Sequence, residues 1–314
     1  ATIHIVAEAY ANVIGQRPLV LCYGELVVDR VAGLDRPGGA PLNFASALQP
    51  LLRTLGGDCL VVSRLGEDAG GGLLRDALLA HNLPPTLLQT TSDDSTGISL
   101  AQIQPKGEVV FQLEPGAWDE IAWSEPLREQ AAACVGLLAG SLPLRSPASA
   151  STMLALFQTS NASIRMFDLN FRHEPEAELL TSVLEAATHV KGTVEEWIQL
   201  GTILCCQADQ AHAIATELRT QFALDSCLVT NGAGGCVLLD GEGAMAGLPV
   251  GFPMDENADP IGAGDHAAAG WMFALLNGRS RLDQVAAADI LGAWAASQPA
   301  SAPGIPPAVR DLLA

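Results

Sequence analysis

Asp259-Pro260-Ile261-Gly262-Ala263-Gly264-Asp265 runs directly into the apolar stretch His266–Leu276, and that junction governs how the rest of the chain is read. Small residues at the first positions of a helix let a polyanion approach the backbone. The unpaired N–H groups and the positive end of the helix dipole then point at it. A carboxylate inside such an anion hole repels the ligand unless it handles a proton. Asp265 is placed to accept the proton of a hydroxyl attacking a terminal phosphoryl group, with the developing charge held by Gly262, Ala263 and Gly264. The competing reading makes Asp265 a helix cap and the glycines a device for close packing. A dehydrogenase-type fingerprint also fits formally, as Gly262-x-Gly264-x-x-Ala267. That fingerprint belongs after a strand, usually the first of the fold, whereas Met254–Pro260 is polar and lies late in the chain. No G-x-x-x-x-G-K-[ST] phosphate loop occurs.

Outward from this junction, short β-type runs alternate with longer helical ones. Leu19–Tyr23 reads as a buried strand, Asn43–Leu55 as a helix, Cys59–Ser63 as a strand and Gly71–His81 as a helix. Gly97–Ile103 and Val109–Leu113 alternate in period two and are joined by Pro105-Lys106-Gly107-Glu108, which predicts a hairpin. From Val135 the α/β rhythm resumes, with strands at Val135–Ala139, Ile164–Asp168, His189–Lys191, Cys227–Thr230 and Gly235–Leu239. Helices are expected at Ala148–Thr159, Glu174–Thr188, Val194–Leu200, Ala208–Gln221, Ala263–Leu276 and Leu282–Ser297. The pattern is α/β: a doubly wound, mainly parallel sheet with a protruding hairpin.

Composition narrows the partners. Of 314 residues, 35 are acidic and 16 basic, for a formal charge of −19, and Lys106 and Lys191 are the only lysines. A polybasic surface for nucleic acid or anionic lipid is therefore excluded, and small molecules or other proteins are expected. No apolar run approaches the ~18 residues of a membrane helix. Seven scattered cysteines, without a CxxC pair, read as reduced core residues. The first residues lack a basic n-region and cleavage site, so the cytoplasm is the expected compartment. About 17 residues precede the first strand.

A second glycine cluster, Gly38-Gly39-Ala40-Pro41-Leu42-Asn43, stands before another helix. The glycine pair permits close backbone approach, and Asn43 offers donor and acceptor to vicinal hydroxyls. Alternatively Asn43 is the N-cap of a plain helix. Gly24-Glu25 and Asp29 follow the first strand, at the carboxyl end where open α/β sheets bind ligands. Asp29 suits two sugar hydroxyls, or it is a solvated loop acid.

Taken together, the two clusters resemble the PfkB, or ribokinase-like, family of carbohydrate kinases. Gly66-Glu67-Asp68, Phe167-Asp168-x-Asn170-x-Arg172, Lys191-x-Thr193-x-x-Glu196 and Val229-Thr230-x-Gly232-Ala233-x-Gly235 line up as well, so the resemblance spans roughly residues 19 to 300. Gly24-Glu25 and Asp168-x-Asn170-x-Arg172 look most like the fructokinase branch. The resemblance implies one ribokinase-like α/β domain over residues 1–314, with a small β lid formed by about 25–37 and 95–115. It implies an ATP-dependent sugar kinase, with fructose as acceptor and Mg2+ and ATP as cofactors. Asp265 would be the base, with Gly262, Ala263 and Gly264 as the anion hole. Asp29, Gly38, Gly39, Asn43 and Arg172 would contact the sugar. Lys191, Glu196, Thr230, Gly232 and Gly235 would border the nucleotide, with Glu196 reaching magnesium through water. The alternatives are a kinase for another acceptor, such as 2-keto-3-deoxygluconate, or a non-catalytic sugar- or nucleotide-binding protein on the same fold.

Four features depart from the family pattern: Ile261, His266, Thr193 in place of Asn, and Glu114 where many members carry arginine. Only eight residues separate Asp29 from Gly38, which predicts a lid reduced to one hairpin. Members of this branch often pair through lid strands, so a homodimer stays open beside a monomer.

Overall fold

The computed structural model describes residues 17–31, 33–103 and 109–313. The chain begins with β1 (Leu19–Tyr23), β2 (Val27–Val31) and β3 (Leu34–Gly38), which lead into α1 (Ala40–Thr54). Next come β4 (Asp58–Gly66), α2 (Ala69–Ala80), β5 (Leu88–Thr91), β6 (Gly97–Ile103) and β7 (Val109–Leu113). The middle holds α3 (Glu125–Ala133), β8 (Gly136–Gly140), α4 (Pro147–Thr159), β9 (Ile164–Asp168), α5 (Ala177–Ala186), β10 (His189–Thr193) and α6 (Val194–Ile203). The chain then forms α7 (Ala211–Gln221), β11 (Ser226–Thr230), β12 (Cys236–Asp240), β13 (Gly243–Ala246), α8 (Ala263–Leu276), α9 (Arg281–Ala296) and the short α10 (Pro307–Arg310).

Nine strands form the main sheet in the order β13-β12-β11-β10-β9-β8-β1-β4-β5. The strands from β11 through β5 run parallel, and β12 and β13 turn back antiparallel at one edge. Parallel strands covered on both faces should be apolar throughout. In β1, Leu21 and Tyr23 enter one core with Leu137, Phe167 and Trp197, while Val20 and Cys22 enter the other with Leu48, Met166 and Trp271. The first core lies under α3 to α7; the second lies under α1, α8 and α9. Helix α8 is buried from His266 to Leu276, as an apolar helix packed between a sheet and two other helices must be. The chain leaves β1 toward β4 on one side and later returns through β8 on the other. The crevice beyond the carboxyl end of β1 is therefore the topological switch point where ligands bind in such sheets.

The second sheet corrects the expectation of a single hairpin. Its four strands run β3-β2-β6-β7, with β2 and β3 antiparallel and Val27 of β2 paired in parallel with Gly97 of β6. The β6–β7 pair has the expected bounds, while its Pro105–Glu108 turn lies outside the described residues. The Asp68 carboxylate caps α2 through the Gly71 N–H and also accepts from the Thr96 N–H and Oγ1, fixing α2 to the entry of β6. At the other root, the Arg145 guanidinium lies 4.1 Å over Trp118, pairs with Asp119 and donates to the Leu113 and Glu114 carbonyls. The end of β7 is thereby fastened to the body of the protein. Among the described residues no helix is long and apolar enough to cross a membrane.

Candidate active site

The α8 N-terminus opens on the crevice. Gly262 is its N-cap, in the left-handed region at φ 83°, and a Cβ there would lie 2.1 Å from the Ser301 carbonyl oxygen. Only glycine fits both demands. The Asp259 carboxylate accepts the Ile261 N–H at 3.0 Å, and the Ala263 N–H donates to Pro260 O at 3.1 Å. Four residues on, the His266 N–H returns to Gly262 O. Between them the amides of Gly264 and Asp265 have no carbonyl to donate to among the described residues, as the first turn of a helix dictates. His266 lies buried with Nδ1 2.9 Å from the same Gly262 oxygen, which makes Nδ1 the protonated nitrogen. Burial pulls its pKa down to about 4, so the ring is neutral near pH 7.

Asp265 is the third residue of α8, and Gly262 holds the cap position, so the capping reading of Asp265 fails. Its carboxylate accepts a 2.8 Å hydrogen bond from the Asn43 amide, 222 positions away in sequence. The two glycine clusters thus meet. Asn43 is not an N-cap either. Helix α1 starts three residues earlier at Ala40, with Gly39 as cap and Pro41 in the first turn. Asn43 therefore lies on the second turn, only 4% exposed, and its Oδ1 is buried without a partner. An orphaned buried acceptor beside a carboxylate is an invitation to a hydroxyl donor.

Around this pair stand the other expected sugar contacts. Asp29 is half-buried on β2, with its carboxylate against Gly38. Burial pushes its pKa up, Ser99 and Arg172 oppose that, and Asp259 reinforces it. Arg172 is exposed, and its charge reaches Glu25, Asp29 and Glu196. Glu25, which follows β1, is 6% exposed and accepts the Ala40 N–H at 3.0 Å.

Beneath the anion turn lies a buried ion pair. Lys191 on β10 places Nζ 2.8 and 3.0 Å from the two carboxylate oxygens of Asp168 on β9, its neighbour in register. The residues are 3% and 4% exposed. Burial pulls the Lys191 pKa down, but Asp168 and Glu196 outweigh it and leave it raised. A Cβ on Gly264 would lie 3.3 Å from this Nζ, so the ammonium forms the floor of the turn. These groups set the character of Asp265, which is partly accessible from the crevice yet walled by protein. Burial and Asp168 push its pKa up to about 7, against the Asn43 hydrogen bond and Lys191, with Glu25 adding to the rise. A carboxyl group poised near neutrality can take up a proton and release it again.

Glu196 has a local explanation that its spacing already allowed. It forms a capping box with Thr193: Thr193 N–H donates to Oε2 at 2.8 Å, and Glu196 N–H donates to the Thr193 hydroxyl at 3.2 Å. The Oε1 atom is free of that cap. Thr230, Gly232 and Gly235 stand apart from Asp265, at the end of β11 and in the turn to β12. The Thr230 hydroxyl reaches Gly192 O at 3.4 Å, and Gly232 and Gly235 adopt positive φ. A Cβ on Gly232 would meet nothing within 4 Å, so the turn borders open space. The Asp168–Lys191 pairing was not read from the sequence. A lone lysine inside a strand was its signal, since a buried ammonium demands an acid on a neighbouring strand end.

Comparison with known proteins agrees with this geometry. A fructokinase of Escherichia coli is 26% identical over 279 residues, covering 80% of this chain and 82% of that protein. The crystal structure of a fructokinase with bound ATP from Xylella fastidiosa superposes with a TM-score of 0.80 at 23% identity, covering 95% of this chain and 98% of that one. An aminoimidazole riboside kinase from Salmonella enterica, solved with aminoimidazole riboside and an ATP analogue, gives 0.75 at 21% identity over 94% of this chain and all of its own. The pattern of the pfkB family carbohydrate kinases matches residues 8–308. With nearly the whole chain matched, and with both glycine clusters meeting at Asp265, the protein belongs to the pfkB family and is a sugar kinase that transfers phosphate to a hydroxyl.

Proposed function

We propose that this protein transfers the γ-phosphoryl group of ATP to a hydroxyl of fructose. The observation that carries the reading is the 2.8 Å contact between Asn43 and Asp265, which brings a hydroxyl-binding side chain and a carboxyl of pKa about 7 to one point below an open helix N-terminus. Asp265 takes the proton of the attacking hydroxyl as its oxygen bonds to the γ-phosphorus and the bond to the ADP oxygen breaks. The free amides of Gly264 and Asp265 face the charge that gathers on the phosphoryl oxygens, and Lys191 supports them from below. Asn43, Asp29, Gly38, Gly39 and Arg172 orient the sugar. Thr230, Gly232 and Gly235 border the nucleotide.

The residues fit a magnesium ion held through water. Glu196 keeps one carboxylate oxygen free of its cap and lies within the electrostatic reach of Asp168 and Lys191. Magnesium supplies charge neutralisation on the phosphates that a chain of net charge −19 cannot. The four-stranded sheet, rooted by Asp68 and Arg145, serves as a lid that excludes water from the crevice, all as one domain. A cytoplasmic location matches the free thiols of its seven cysteines.

Fructose is chosen because relatives of this chain bear the name fructokinase. The test is ADP release from Mg-ATP with fructose, 2-keto-3-deoxygluconate, ribose and an aminoimidazole riboside, with and without EDTA. Fructose should give the highest kcat/KM, and EDTA should abolish turnover. If another acceptor wins, the sugar assignment fails. If none is turned over while one raises Tm, the protein binds sugar without catalysis.

A further inference from the structure

Glu25 has no part in the chemistry above, yet its carboxylate is buried at the centre of the site. We propose that Glu25 is a positioning residue: a built-in anion that closes the N-terminus of α1 and holds Gly39–Asn43 where Asn43 meets both Asp265 and the sugar. The inference rests on the reading of the site as a sugar kinase centre.

The first turn of α1 is closed completely. Glu25 Oε1 accepts the Ala40 N–H at 3.0 Å, Pro41 has no N–H, and the N–H groups of Leu42 and Asn43 both go to Gly39 O at 3.1 and 3.2 Å. Gly39, at φ 111°, rests directly on the Glu25 backbone, where a Cβ would come within 2.3 Å of its carbonyl oxygen. Glu25 therefore touches the loop with both its main chain and its side chain. A neutral acceptor would satisfy one N–H without the desolvation of a charge. The carboxylate adds its attraction to the helix dipole and denies this helix end to any ligand anion. Of these two helix ends, the α8 end is the one left open to phosphate.

The charge also acts at a distance. The charges of Arg172 and Asp29 reach Glu25, and those of Asp168, Lys191 and Glu25 reach Asp265, which also accepts from the Asn43 amide. Glu25 makes Asp265 harder to ionise, so neutralising it should ease ionisation of Asp265.

Three readouts on Glu25→Ala and Glu25→Gln separate positioning from a general loss of structure. With fructose, Glu25→Ala should raise the sugar KM about 10-fold while the ATP KM stays within about 2-fold. Amide hydrogen exchange of the peptide spanning 39–44 should quicken in Glu25→Ala and move most of the way back toward the parental rate in Glu25→Gln, which keeps the acceptor oxygen but not the charge. The acidic limb of kcat/KM should move to lower pH in Glu25→Gln, since the lost charge opposed ionisation of Asp265. The inference is overturned if Glu25→Ala leaves exchange at 39–44 unchanged, if both KM values rise together, or if exchange in Glu25→Gln is as fast as in Glu25→Ala. Should the parent turn over no sugar at all, the kinase reading fails separately. The exchange measurement then decides the role of Glu25 by itself.

Discussion

The helices α1 and α8 begin alike and end up doing opposite work. Each starts on a glycine at positive φ, without a side-chain cap from that residue, against a carbonyl oxygen that leaves no room for a Cβ. In α1 every first-turn donor is satisfied from within the protein, through Glu25, the imino acid Pro41 and Gly39 O. In α8 the amides of Gly264 and Asp265 stay open toward the crevice. The same start thus yields a closed end that can only present a side chain, and an open end that can receive an anion. What differs is whether the sequence supplies an internal anion. Asn43, from the closed helix, then hydrogen-bonds Asp265, on the open one.

The comparison breaks most severely if the floor of the open end is removed. Lys191→Met leaves Asp168 buried and unpaired, which should destabilise the protein by about 3–5 kcal/mol in urea titration. The double variant Lys191→Met/Asp168→Asn should recover most of that loss. Equal instability of the single and double variants would show that the pair is not the origin.

A buried carboxyl at the open end should cost stability only when ionised. The folded pKa of Asp265, about 7, lies above the ordinary aspartate value of 3.8. Its stabilising contribution is full below the unfolded pKa and is lost as pH rises through the folded one. Asp265→Asn should therefore stabilise the fold by about 2–4 kcal/mol at pH 8, allowing for its partial access to water, and by nearly nothing near pH 4. The Tm gain measured at the two pH values checks this. A gain independent of pH would contradict the buried-charge account.

The two caps should fail differently. Gly262→Ala distorts the anion turn and should raise the ATP KM and lower kcat, whereas Gly39→Ala should raise the sugar KM alone. Each effect should be on the order of 10-fold, from about 1–3 kcal/mol of local strain. The reverse pattern would exchange the roles of the two loops. The smallest expected change is in the pH profile of Asn43→Ala, beside the rise in sugar KM that loss of its hydroxyl contact brings. Its amide lowers the Asp265 pKa, so its loss should move the acidic limb of kcat/KM upward by about one pH unit or less.

The open end was legible from the chain alone, because its signal is local. Gly262-Ala263-Gly264-Asp265 precedes an apolar run, and α8 spans the predicted Ala263–Leu276. The closed end is less legible. The sequence pattern starts this helix at Asn43, with a cap as one alternative role for that residue, although Pro41 in the first turn marks an earlier start. The strands β2 and β3 fall in the segment of about 25–37 that only the family resemblance assigns to a lid, because Asp29, Arg30, Asp35 and Arg36 carry no apolar alternation. The two strands pair with each other, and β2 pairs in parallel with β6, about 70 residues on. The Asp168–Lys191 pair needs the strand order to be known before it can be seen.

Turnover of Asp265→Asn bears on the central claim most directly. The measurement is ADP formation at saturating Mg-ATP and fructose, with ATP affinity followed in parallel. The account predicts that kcat falls by about 100- to 10,000-fold while the ATP dissociation constant changes little. A kcat within a few fold of the parent would mean that the carboxyl at the open helix end is not the base.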